Sequence, residues 1–174
     1  MKRIFIASLI PFCLAILISM TNCQIKANTG KPAPCKFLSN ADAQKILGQP
    51  VKVIANDSSV SNDKVLIKCT YRGVANDNPD ENKANLYFIL EESQTNEKAK
   101  EIYDEIWNSN KNHQGIEVLS GIGDQAYSHS DKPNFHFVMA RKGKFTVRLK
   151  INKAVEGTSL EEMKSFAKKL IEQI

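Results

Sequence analysis

The sequence predicts an α+β domain in which helices pack on an antiparallel sheet, as a two-layer sandwich. Most apolar runs alternate with polar residues at the two-residue period of strands, whereas three segments repeat at the helical period. Short polar turns separate the strand-like runs, and antiparallel neighbours can be joined in this way. The predicted order is α-β-β-β-α-β-β-β-β-α, within a single domain at residues 35–174.

The first half of the domain is predicted as one helix and three strands. Ser39 and Asp42 have the spacing of a capping box at the start of a helix, and Gly48 with Pro50 ends it. Two polar loops separate the strands. A short strand is predicted at 51–54, a strand of alternating apolar and polar residues at 65–71, and a strand that is apolar on both faces at 86–90. The loops between them are predicted at 56–63 and 76–82.

The second half is predicted as a helix, four strands and a C-terminal helix. Ala99, Ile102 and Ile106 recur at helical spacing within 95–108. Gly143 can take a positive φ in the turn of the clearest hairpin. The four strands are predicted at 116–119, 125–128, 135–139 and 145–151. Either Thr158 or Ser159 caps the last helix, which carries a continuous apolar stripe.

The N-terminal residues have the features of an export signal. Lys2 and Arg3 precede an uncharged apolar run at 4–20, and polar residues follow directly. Such a sequence is typical of a signal peptide, here predicted at residues 1–22. The alternative is an uncleaved membrane anchor. The run of about 17 residues lies at the lower limit for a transmembrane helix, and Pro11 interrupts it.

Cys23 follows the apolar run and resembles the lipid-bearing first residue of a mature bacterial lipoprotein. Asn22 departs from the small residues usual before that cysteine. We expect a lipid on Cys23, with residues 23–34 as a tether whose eleven residues after Cys23 reach roughly 35 Å when extended. The alternative is cleavage after Ala27, which would leave a secreted or soluble periplasmic protein.

Composition and charge exclude several classes of protein. The 174-residue chain is 42% hydrophobic and 25% charged, which is ordinary for a globular protein and excludes a disordered or fibrous one. The formal net charge of +5 falls to +3 once Lys2 and Arg3 leave with the signal. A charge this mild provides no concentrated basic face, so nucleic acid is not an expected partner.

The cysteines predict one disulfide in the mature domain. Cys13 lies within the signal, and a lipid on Cys23 leaves Cys35 and Cys69 as an even pair in an oxidising compartment. A redox pair would favour CxxC spacing, which is absent. A metal site would need more ligands, and no histidine lies near either residue in sequence. A Cys35–Cys69 bond would close a loop of about 35 residues.

The segment at 121–126, GIGDQA, fits the glycine fingerprint of dinucleotide sites only formally. That fingerprint requires a helix to follow, whereas a turn-rich segment leads here to Pro133. We therefore interpret Gly121, Gly123 and Asp124 as a structural turn and predict no cofactor.

Other candidate chemistry is weak. No serine lies in a GxSxG elbow, so no catalytic residue is assigned. Glu91 and Glu92 are adjacent on a strand, point to opposite faces and are expected to be exposed. The remaining candidates are predicted to be solvated, without a metal: the histidines His113, His129 and His136, and the basic sheet positions Lys144, Arg148 and Lys150.

The mature region resembles small bacterial envelope lipoproteins of unknown function. The resemblance covers roughly 35–173 and rests on Cys35-x-Phe-Leu-Ser, Cys69-x-Tyr71, the 121–127 turn, the hairpin and the C-terminal helix. Related envelope proteins have folds similar to the PsbP family, whose α/β sandwiches act as accessory or binding subunits. The resemblance implies no catalytic residue.

The function predicted is that of an exported, lipid-anchored cell-envelope protein acting as a non-enzymatic binding or accessory module. Its partners would be the membrane, through the lipid, and an envelope protein or small ligand. The alternative is a secreted hydrolase with a site that no motif marks. A pocket with convergent ionisable groups would favour the hydrolase.

Overall fold

The computed structural model describes residues 35–74 and 83–174, which form one antiparallel seven-stranded sheet with three helices. The predicted α+β class and the predicted order of elements are confirmed. The signal at 1–22, the tether at 23–34 with Cys23, and the whole loop predicted at 76–82 lie outside the described residues. In chain order the elements are α1 (Asn40–Leu47), β1 (Val51–Val60), β2 (Lys64–Gly73), β3 (Asn85–Ser93), α2 (Asn96–Asn110), β4 (Ile116–Val118), β5 (Gln125–Asp131), β6 (Phe135–Lys142), β7 (Phe145–Ile151) and α3 (Leu160–Gln173).

The sheet joins the two halves of the chain at its centre. The spatial order of strands is β1-β2-β3-β7-β6-β5-β4. After β3 the chain crosses through α2 to the far edge and then returns strand by strand to β7. The β3–β7 pairing, with Phe88 opposite Leu149, is therefore the only strand pairing between the halves within the described part of the chain.

Helices cover both faces of the sheet. One face forms the main core, where α1 and α3 pack on residues such as Phe88 and Leu149. On the opposite face α2 packs Tyr103 against Tyr127 and Met139, which are all buried. Because successive strand residues point to opposite faces, the central strands offer an apolar surface on each side. Helix α2 thus adds a partial third layer to the predicted two-layer sandwich.

Strand β1 corrects one sequence prediction. Residues 51–54 were expected as a short strand and 56–63 as a loop, but β1 extends to Val60. It lies at the edge of the sheet and pairs with β2 along its length, with a bulge between Val53 and Ala55. Its side chains are mostly exposed, and polar residues occur on both of its faces. The sequence of β1 therefore lacks the alternation of apolar and polar residues that marks a half-buried strand.

Capping side chains begin all three helices of the described residues. Ser39 accepts a hydrogen bond from the amide of Asp42 at 3.1 Å, and Thr95 and Ser159 act in the same way at α2 and α3. Gly48 ends α1 with a φ of 66°. None of these helices has the length and apolar character needed to cross a membrane.

The predicted Cys35–Cys69 disulfide is confirmed, with the two Cα atoms 5.7 Å apart. Cys69 is buried on the main-core face of β2. Nearby, the buried Tyr71 hydroxyl donates a hydrogen bond to the carbonyl of Leu38. Together the two contacts fasten the segment before α1 to the sheet.

Loss of the disulfide should destabilise the domain. We expect Cys69→Ala to lower the free energy of unfolding by about 2–5 kcal/mol, the usual cost of removing such a bond from a small secreted domain. Urea denaturation of the wild type with and without reductant measures the same quantity independently. Finding two reactive thiols in the folded protein would contradict the presence of this bond.

Candidate functional site

The glycine turn before β5 fastens two parts of the sheet together. Gly123 has a φ of 60°, and a Cβ atom there would lie 2.4 Å from the carbonyl oxygen of Arg141. The Asp124 amide donates to that same oxygen at 2.8 Å. The Asp124 carboxylate accepts from the Gly143 amide at 2.8 Å and pairs with the Arg141 guanidinium at 3.0 Å. These contacts give the turn a structural role against the β6–β7 hairpin.

Substitution of the two glycines should therefore have unequal effects. Gly121 also has a positive φ, of 73°, but no atom lies within 4 Å of a Cβ placed there. We expect Gly121→Ala to cost about 1–2 kcal/mol, the cost of left-handed backbone alone. Gly123→Ala should cost more, because its methyl group also displaces the Arg141 carbonyl. Urea unfolding of both variants tests this, and equal losses would contradict it.

A groove runs along the sheet beside α2. Its larger part is a cavity of about 480 Å³, and a second cavity of about 370 Å³ adjoins it. Ile106, Phe137 and Lys150 line both cavities, so the two form one continuous surface. We call it the α2 groove and define it by the following residues: Tyr87, Ile89, Ile106, Phe137, Arg148 and Lys150.

Strand register brings the floor of the α2 groove together. Lys150 of β7 lies opposite Tyr87 of β3 on one side and opposite Phe137 of β6 on the other. Arg148 lies opposite Ile89 in the same way. Directly opposed residues share a face of the sheet, so all five side chains lie on the α2 side. Helix α2 crosses β3, β7 and β6 and packs its aromatic residues against Tyr127 and Met139, and part of the same face, at Tyr87, stays open.

An ion cluster around one buried carboxylate closes one side of the groove. Glu91 is only 2% exposed, and its two carboxylate oxygens meet Arg148 Nη2 at 2.6 Å and Lys64 Nζ at 3.2 Å. The expectation that Glu91 is exposed was therefore wrong. Two cations surround this one carboxylate, and they compensate the cost of removing it from water.

The basic residues of the β6–β7 turn and of β7 differ in how they are paired. Lys144 contacts the half-buried Glu92 at 2.6 Å, and Arg148 belongs to the Glu91 cluster. The exposed Lys150 forms no ion pair with the described residues, and its ammonium lies 5.8 Å from the centre of the Phe135 ring. Lys150 thus places a positive charge on a surface that is otherwise largely apolar.

Two histidines lie at the far end of the groove. His129 is 8% exposed, and its ring lies 4.8 Å from that of Phe135 and 5.5 Å from that of His113. Burial lowers the pKa of His129, and the neighbouring His113 lowers it further. His113 is exposed, as predicted, but the expectation of a solvated His129 was wrong.

His136 is buried on the opposite face of the sheet. It is 2% exposed, lies opposite Ile151 of the main core and hydrogen-bonds through Nδ1 to the Ser130 hydroxyl at 2.9 Å. Burial lowers its pKa, and Lys132 adds to the effect. The expectation that His136 is solvated was wrong because β6 is buried on both faces, so neither phase of its alternation faces water.

Metal-binding groups do not converge in the part of the chain that the structure covers. Within residues 35–74 and 83–174, no three His, Cys, Asp or Glu side chains are arranged to hold a metal ion.

Comparison of the chain with family models, with curated proteins and with solved structures finds no match. The resemblance to envelope lipoproteins and to the PsbP fold therefore stays a prediction from the residues quoted for it.

Sequence reasoning missed the groove, although one signal for it was present. The strand at 86–90 is apolar on both faces, which indicates a second covered surface besides the main core. The position of α2 over that surface depends on the long crossover from β3 to β4, and no local pattern specifies it.

The two buried histidines predict a loss of stability in mild acid. In the unfolded chain both titrate near 6.5, and in the folded protein both pKa values are lower. Between these values the unfolded state binds more protons, so the free energy of unfolding should fall as the pH drops below about 6.5. Urea unfolding across pH 5–8 measures this slope.

The double variant His129→Asn, His136→Asn should flatten that slope, and Lys169→Gln, at an exposed position on α3 far from both histidines, is the control. An unchanged slope in the double variant would show that other groups cause the acid sensitivity.

Proposed function

We propose that this protein is exported, carries a lipid on Cys23 and acts in the cell envelope as a non-enzymatic binding module whose ligand lies in the α2 groove. One observation carries the proposal, namely an open apolar cavity of about 480 Å³ on a sheet face that a helix only partly covers. The export signal and the Cys35–Cys69 disulfide support the compartment.

The size and lining of the groove fit a small-molecule site. Such sites generally measure about 300–1,000 Å³ and combine apolar walls with a few polar groups. Ile89, Ile106 and Phe137 are only half-buried, so a ligand could remove more of their apolar surface from water. Each Å² so buried contributes roughly 25 cal/mol to binding.

The groove proposal is tested with the neutral fluorescent probe N-phenyl-1-naphthylamine. We expect the wild-type protein to bind the probe and Ile106→Gln to weaken binding several-fold, since a polar amide replaces an apolar wall. Ile54→Gln, on the exposed edge strand β1, is the matched control and should bind like the wild type. Absence of probe binding to the wild type would overturn the proposal, as would an equal loss in both variants.

The lipid anchor has its own test in the native host. We expect the wild-type protein to enter the detergent phase on phase partitioning, and Cys23→Ser to release or misprocess it. Cys23 lies outside the described residues, so this test rests on the sequence alone. Intact-mass data showing an unmodified N-terminus at Asn28 would contradict the lipid anchor.

The hydrolase alternative is favoured by one specific contact, the Ser130–His136 hydrogen bond of 2.9 Å. A serine nucleophile needs such a base, which a third group usually orients. His136 is 2% exposed and, among the described residues, hydrogen-bonds to no carboxylate, so the pair fits a structural role better. Turnover of p-nitrophenyl acetate that is lost in Ser130→Ala would instead favour the hydrolase.

A further inference from the structure

We propose that the ligand of the α2 groove is a single-chain amphipathic monoanion, a medium- or long-chain carboxylate, whose head group pairs with Lys150. This inference rests on the proposed function and specifies the chemistry of the same groove. It follows from the charges around the groove and from the place of Lys150 within it.

The charges around the groove favour an anion. Glu91 is shared by Lys64 and Arg148, so these three groups together carry one positive charge. Lys150 adds a second, and no Asp or Glu lines either of the two adjoining cavities. A cationic ligand or a metal ion would be repelled from such a surface, whereas an anion would be attracted to it.

The lining favours an anion with a hydrocarbon chain over a compact polar one. Ile89, Ile106 and Phe137 provide apolar contact on the floor and on the helix side of the groove. A small hydrated anion would leave these side chains uncovered, whereas an alkyl chain would cover them.

The position of Lys150 sets where the head group lies. Lys150 lines both cavities, and its ammonium lies 5.8 Å from the centre of the Phe135 ring, which lines the smaller one. A carboxylate paired there leaves the chain free to extend along the 480 Å³ part of the groove, past Ile89 and Tyr87. Arg148 is already engaged by Glu91, so one cation remains for the ligand, and one negative charge matches it.

The test measures displacement of N-phenyl-1-naphthylamine by decanoate and by decan-1-ol, which share a chain length and differ in charge. We expect Lys150→Gln to weaken decanoate about five- to tenfold, as loss of a partly shielded ion pair would, and to leave decan-1-ol unchanged. Lys150→Arg keeps the positive charge and should therefore bind decanoate about as well as the wild type does. Lys169→Gln, on α3 beyond the other face of the sheet, is the control and should change neither ligand.

The outcomes separate this inference from the function on which it rests. If the probe binds the wild type but Lys150→Gln leaves decanoate unchanged, or weakens both ligands equally, the anion inference is wrong and the groove proposal stands. If the probe does not bind the wild type, the proposed function fails and this inference fails with it.

Discussion

The pairing of β3 with β7 holds the two halves of the chain together. One face of this pair is buried in the main core, and the other is covered only in part. On one face Phe88 and Leu149 belong to the main core under α1 and α3. On the other face Ile89 and Arg148 form part of the groove floor. Glu91, close to the end of the same pair, is buried with two cations around it. Removing either cation would leave a buried charge poorly compensated, which is far more costly than loss of a surface ion pair.

The groove follows from how the second face is covered. Helix α2 directs its aromatic residues at Tyr127 and Met139, near the β5–β6 side of the sheet. The face of β3 and β7 beyond Ile106 is then covered only in part, and Tyr87 stays 38% exposed. Apolar floor, partial cover and one free ammonium group thus come from a single arrangement of helix on sheet. The glycine turn and the disulfide lie elsewhere and act on stability, so the groove and the scaffold can be altered separately.

Much of the fold could be predicted because local patterns specify it. The caps at Ser39 and Ser159, the hairpin at Gly143 and the Cys35–Cys69 pair are all recognisable from neighbouring residues or from cysteine parity. Only the start of β1, at 51–54, could be recognised, because the rest of this exposed edge strand has no apolar face. The expectation that His136 is solvated failed for a different reason. Alternation along β6 indicates which residues share a face, but it cannot tell which face is buried when both are. The groove depends on where the crossover places α2, which is a long-range feature. Only the apolar floor of the groove could therefore be recognised in the sequence.

The central claim is that a ligand occupies the α2 groove. Amide chemical-shift mapping of the ¹⁵N-labelled domain during titration with N-phenyl-1-naphthylamine tests it. Occupation of the groove should give shifts concentrated at the groove residues Tyr87, Ile89, Ile106, Phe137 and Lys150, with residues on the exposed side of α3 unaffected. Shifts that cluster instead along the β1 edge or over α3, or the absence of any localised shift, would contradict it.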